Sequence, residues 1–224
     1  MALTIEYLGH SGFLLSDGAH TLLVDPFLTG NPRAVHDPAK IDTDFIALTH
    51  GHSDHVGDTV AIAKRTGATV IGVFELVNWL AAQGVKSVEP GNPGGRITTP
   101  FGWVAFTQAF HSASIDGIYM GNPCGLVISM GGVVFYHAGD TDLFGDMKLI
   151  GEIYRPTVAA LPIGDRFTMG AALASRAADL IGAPHVIPIH YATFGLLAPT
   201  AEGFAPSRAA VHELQPGERW TVEG

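Results

Sequence analysis

The chain has 224 residues, 47% of them apolar and only 15% charged, which is enough for one domain over residues 1–224 with a real core and speaks against long disordered tails. Its formal charge of −9 argues against a nucleic-acid partner, which needs lysine and arginine to replace the counterions around phosphate. One cysteine, Cys124, allows no internal disulfide; with no basic-then-apolar leader and no apolar run long enough to span a bilayer, the expected place is the cytoplasm, away from any membrane.

Ala2 to Tyr7 reads as a strand, followed by a turn at Gly9-His10-Ser11-Gly12 and a second strand, Phe13-Leu14-Leu15. Asp17-Gly18 signals a hairpin into a third strand, Thr21 to Val24, which ends at Asp25-Pro26. The stretch from Leu28 to Asp42 reads as a long loop, and Phe45 to Leu48 as an apolar, buried strand. Then come a helix over Asp58 to Arg65 stopped by Gly67, a strand over Thr69 to Val73, a helix over Phe74 to Gln83, and a short strand over Val85 to Val88. The break at 90–95 opens a second run of strands, Arg96 to Thr98 and Trp103 to Ala109, then a hairpin of Leu126 to Met130 with Val133 to Tyr136. A helix over Asp146 to Ile153, a strand over Val158 to Leu161, a helix over Ala171 to Ile181 and a strand over His185 to Ile189 follow. A closing helix over Pro206 to Leu214 and a strand over Trp220 to Val222 complete the pattern. Strands followed by strand–helix alternation occur twice, as expected of an α/β protein built as a four-layer αβ/βα sandwich.

The chemistry concentrates in Thr49-His50-Gly51-His52-Ser53-Asp54-His55, directly after the apolar run 45–48. His50 and His52 are two apart and point the same way in an extended segment, while Asp54 and His55 turn away, so one loop can serve two ions. Imidazole and carboxylate together suit zinc, and also iron or manganese. His111, Asp140 and His190 also follow predicted strands, and loops at one end of a sheet commonly carry the chemistry.

His-x-His-x-Asp-His after a short strand resembles the signature of the metallo-β-lactamase superfamily. The rest of the chain is similar to its short, stand-alone metal-dependent hydrolases, a branch near the ascorbate-6-phosphate lactonases. The likeness runs through Gly9-His10-Ser11-Gly12-Phe13, Asp25-Pro26-Phe27, Phe110-His111-Ser112, Tyr136 to Thr141, Gly164 to Gly170 and Pro188 to Tyr191. It implies the αβ/βα fold and two divalent ions, zinc first, with manganese, iron or nickel as alternatives. It places His50, His52 and His111 on one ion, Asp54, His55 and His190 on the other, and Asp140 between them. Water held by such a pair ionises near neutrality, giving a hydroxide nucleophile, with Asp54 accepting a hydrogen bond from it.

Other residues carry two readings each. Asp25 either orients a ligand loop or is a turn residue before Pro26; His10 either lines the pocket or belongs to the turn; His137 faces either pocket or core. Arg166 is either an anion clamp or an exposed loop arginine, Thr168 serves its own loop, and Thr141 and Tyr191 flank ligands. Cys124 lies outside every motif and reads as a small packed residue; Asp140 stands where zinc β-lactamases place a cysteine, which disfavours β-lactam hydrolysis. The expected function is hydrolysis of a small-molecule lactone, ester or phosphoester. A metal-dependent phosphodiesterase or nuclease and a non-catalytic metal-binding sensor are the rivals, and the resemblance implies self-association.

Overall fold

A computed structural model describes residues 1–224. The opening meander is present: β1 (Ala2–Gly9), β2 (Gly12–Ser16) and β3 (Thr21–Val24) pair antiparallel, and β4 (Phe45–Ala47) joins β3 in parallel. A single helical turn, α1 (Ser53–Val56), precedes α2 (Thr59–Thr66), β5 (Thr69–Val73), α3 (Phe74–Ala82) and β6 (Val88–Gly91). In the second half, β7 (Arg96–Thr99) and β8 (Gly102–Gln108) lead through a small ribbon, β9 (Ser114–Ile115) and β10 (Ile118–Tyr119), to the hairpin β11 (Cys124–Met130) and β12 (Val133–His137). Then α4 (Met147–Tyr154), β13 (Val158–Pro162), α5 (Ala171–Ile181), β14 (His185–Ile189), β15 (Ala210–Val211) and β16 (Arg219–Glu223) complete the chain.

Two seven-stranded sheets result, ordered β16-β1-β2-β3-β4-β5-β6 and β15-β14-β13-β12-β11-β8-β7. The layering follows from alternation along single strands. On β11, Leu126, Ile128 and Met130 join the larger core with residues of the first sheet and of α2 and α3, whereas Val127 joins a second core with α4 and α5. On β13, Val158 and Ala160 take the first side, Ala159 and Leu161 the second. The sheets therefore face each other with helices outside, as the sequence led us to expect.

Two expectations fail. The strand expected over Val85 to Val88 lies at Val88–Gly91, so the expected break at 90–95 begins inside it, because Val70 to Val73 of β5 pair with residues 88–91. The segment from Pro206 to Leu214 is not a helix; it is bends around the two-residue β15. β14 presents an unpaired edge there, and Ala210 and His212 donate to the carbonyls of Pro184 and Val186, satisfying backbone that a short helix with an exposed Val211 would leave in water. The ribbon β9–β10 and the turn α1 lie in stretches that offered no periodicity to read.

Candidate metal centre

Both sheets turn their strand ends towards one cluster. β4 delivers His50 and His52, α1 carries Asp54 and His55, and the ends of β8, β12 and β14 deliver His111, Asp140 and His190. The centre of the arrangement is one oxygen. Asp140 Oδ2 lies 3.0 Å from His190 Nε2, 3.4 Å from His55 Nε2, 3.5 Å from His111 Nε2 and 4.0 Å from His50 Nε2. Three groups have donor atoms close enough for one ion each: His50, His52 and His111; His50, His55 and Asp140; and His10, Asp54, His55 and His190. His10 thus stands among the possible metal donors, a place the sequence did not give it.

Local sequence explains how the loop is held. Gly51 lies against the buried Met120, whose Cβ would sit 2.2 Å from any Cβ at that position, so the His-x-His segment passes the ribbon only as glycine. Gly57, at φ +43, ends α1 and lets Pro26 approach; a Cβ there would meet the Pro26 carbonyl at 2.3 Å.

Asp25 is no mere turn residue. Fully buried, it accepts the Thr49 amide (2.9 Å), the Thr49 hydroxyl (2.6 Å) and His55 Nδ1 (2.7 Å). Since the single hydroxyl proton of Thr49 goes to Asp25, His50 Nδ1 donates to Thr49 Oγ1 at 3.0 Å, which leaves the Nε2 lone pair of His50 facing the cluster. The same logic frees His55 Nε2. Thr49 is the residue that sequence reasoning missed, although a threonine at a buried strand end beside two histidines was a visible signal.

Charge inside the cluster is strongly coupled. Burial, and then His55, hold the His50 imidazole well below its usual range. Burial acts the same way on His55, but the carboxylates of Asp140 and Asp25 outweigh it and keep His55 protonated well above the usual range. Burial would raise Asp140, yet His190 and His55 hold it well below. Negative oxygens surrounded by imidazoles thus favour a positive charge at the centre of the cluster.

His10 is buried at φ +57, with its carbonyl anchored by the Tyr7 hydroxyl (2.9 Å) and the His190 amide (2.7 Å). Its Nε2 meets Asp54 Oδ2 at 3.2 Å and its Nδ1 meets the Thr193 hydroxyl at 3.0 Å. Burial, with His190, pushes its pKa down to about 4. Because the ring is spanned at both nitrogens and buried, it is not a free substrate contact.

For His137 and Arg166 the structure selects one of the two readings and removes the substrate contact, and Tyr191 is corrected. His137 faces the core: Nε2 donates to the Ser11 carbonyl (2.8 Å) and Nδ1 accepts from the Gly139 amide (3.0 Å). Arg166 is exposed, stacked beside its neighbour Phe167, and absent from the walls of the two clefts at the cluster. The Tyr191 hydroxyl points to Glu213 (3.3 Å), not to the ligands. Thr141 does brace the site: its hydroxyl accepts the Phe110 amide at 3.0 Å and its carbonyl the Met169 amide, tying the His111 loop to the 164–170 loop. Cys124 is buried, and its thiol donates to the Thr49 carbonyl at 3.0 Å.

Known proteins resemble this chain along its length. A family model described as a beta-lactamase superfamily domain matches residues 4–190. A UPF0173 metal-dependent hydrolase of Shouchella clausii is 46% identical, the match covering 98% of this chain and 96% of that one. Another, of Geobacillus thermodenitrificans, is 48% identical over 96% of this chain and 97% of its own. Among solved structures, Igni18, a metallo hydrolase of the archaeon Ignicoccus hospitalis, superposes with a TM-score of 0.90 at 34% identity, covering all of both chains.

Proposed function

Because the chain belongs to the beta-lactamase superfamily and is a metal-dependent hydrolase, we propose that it holds two divalent cations and uses them to hydrolyse a small-molecule lactone, ester or phosphoester. His50, His52 and His111 would hold one cation, Asp54, His55 and His190 the other, and Asp140 would lie between. Zinc suits this imidazole–carboxylate set first, and manganese, iron and nickel suit it too.

The observation that carries the reading is the position of Asp140 Oδ2 amid four imidazoles drawn from both sheets. Orphaned atoms support it. His55 Nε2, Asp140 Oδ1 and both ring nitrogens of His190 are buried without a hydrogen-bond partner, although His190 Nε2 lies close to Asp140, out of hydrogen-bond alignment. Such groups are costly to bury unless something binds them. Cations there would bring a shared water to ionise near neutral pH and would draw electron density from the oxygen of the bond under attack.

The remaining work falls to side chains. Asp54 is the more exposed carboxylate of the cluster; with Oδ2 held by His10, its Oδ1 is left to accept a hydrogen bond from the attacking water. Buried His50, His55, Asp140 and His190 form a dry floor in which electrostatic interactions are strong. The test is elemental analysis after metal loading, paired with a lactone, ester and phosphodiester panel with and without Zn²⁺ or Mn²⁺. About two ions per chain and metal-dependent turnover are expected; a stoichiometry near zero would overturn the proposal.

A further inference from the structure

Most of the cluster is sealed, and it reaches solvent at few places. Asp54 is 27% exposed at its side chain and His111 14%, and each opens into its own cleft. The cleft at Asp54 measures about 570 Å³ and the one at His111 about 550 Å³, both of small-molecule size. They meet different donor groups, so a substrate lying across the cluster would place one substituent in each.

The walls are alike in two respects. Each carries an exposed phenylalanine ring: Phe194, paired with Phe27 (centroids 6.0 Å apart), at the first cleft, and Phe110, whose ring packs on Phe144 outside the wall (5.2 Å), at the second. Phe110 and Phe194 are 52% and 40% exposed, apolar area that gains from being covered. Neither wall contains a lysine or an arginine. The first contains Asp58, whose carboxylate is fixed by the amides of Leu28 and Thr29 and by the Thr29 hydroxyl. The second offers only the neutral amides of Gln108 and Asn122 beside His111. Arg33 walls a separate cleft behind Phe194, and its guanidinium donates to Gln215 at 3.1 Å.

We infer that the substrate is uncharged away from the bond that is cut and carries an aromatic or short alkyl substituent, as in an aryl or alkyl lactone or ester. A phosphorylated sugar or a nucleotide would bring a second anion, remote from the cluster, to walls that offer it no lysine or arginine and, at the first cleft, set it beside the Asp58 carboxylate. This rests on the hydrolytic site proposed above, and it narrows the lactone, ester or phosphoester expected from the sequence to the first two.

The experiment compares matched pairs of aryl lactones and esters that differ only in a phosphate remote from the scissile bond, using the metal-loaded protein. Calorimetric binding of the matched product acids runs in parallel. The neutral member should have the higher kcat/KM and the tighter binding, by roughly tenfold or more. Phe194→Ala should raise KM for the neutral member, and Phe194→Arg should narrow the preference. If the phosphorylated member is equal or better, the substrate class is wrong while the hydrolase stands; if neither member is turned over with metal, both fall. An unchanged ratio in both Phe194 variants would overturn the placing of the substituent.

Discussion

The two halves of the cluster are built in opposite ways. The first sheet supplies His50, His52, Asp54 and His55 from one continuous loop and its helical turn, oriented through buried side chains, Asp25 and Thr49. The second supplies His111, Asp140 and His190 from three separate strand ends, held through amides of their own segments: Phe110 to the Thr141 hydroxyl and His190 to the His10 carbonyl. The first half is a local motif with a dedicated brace; the second exists only when the whole sheet is assembled. Asp140 is where they meet.

At that junction, Asp140→Ala should produce the largest effect. Turnover should fall to background and metal content should drop on both sides; full activity, or loss of a single ion, would break the symmetry between the halves. Next in size is Asp25→Asn, which touches no substrate and keeps the shape of the side chain. It should weaken metal binding about 10- to 100-fold, as loss of an outer hydrogen-bonding partner does; titration with a chelator measures this, and unchanged affinity would mean the brace is dispensable.

His137→Leu sharpens the contrast from the other side. It should cost about 1–3 kcal/mol of stability by leaving the Ser11 carbonyl and Gly139 amide unpaired, with ion stoichiometry intact. Loss of metal before any fall in Tm would return His137 to the site. The smallest effect belongs to Cys124→Ser, since a hydroxyl can also donate to Thr49. Turnover should scarcely change. In the folded wild type the thiol should resist alkylating reagents at pH 8, because burial, with Asp25, pushes its pKa up and so depletes the thiolate; rapid labelling would contradict this.

How much was legible beforehand divides along the same line. The His50 to His55 motif announces itself by spacing, and the strand–helix alternation gives the sandwich because period-2 and period-3.6 patterns are local. Asp25 left two readings open because a buried carboxylate and a turn aspartate look alike until its partners are known. His137 and Tyr191 could not be assigned from proximity to ligands, since alternation on a strand sends neighbours to opposite faces. The 206–214 segment misled because its alanines favour a helix, while the edge of β14 offered backbone pairing that only the assembled sheet reveals. Phe194 and Thr193 sit in a loop whose composition carries no periodic signal.

The imidazole of His10 joins Thr193, which precedes the aromatic Phe194, to the carboxylate of Asp54. Selectivity and reactivity therefore share a mechanical linkage. Any remodelling of the 192–199 segment to admit a new compound tugs on the acid at the other end of that imidazole, so diversification of this scaffold should proceed by paired changes in which the outer loop and the β1–β2 turn are altered together.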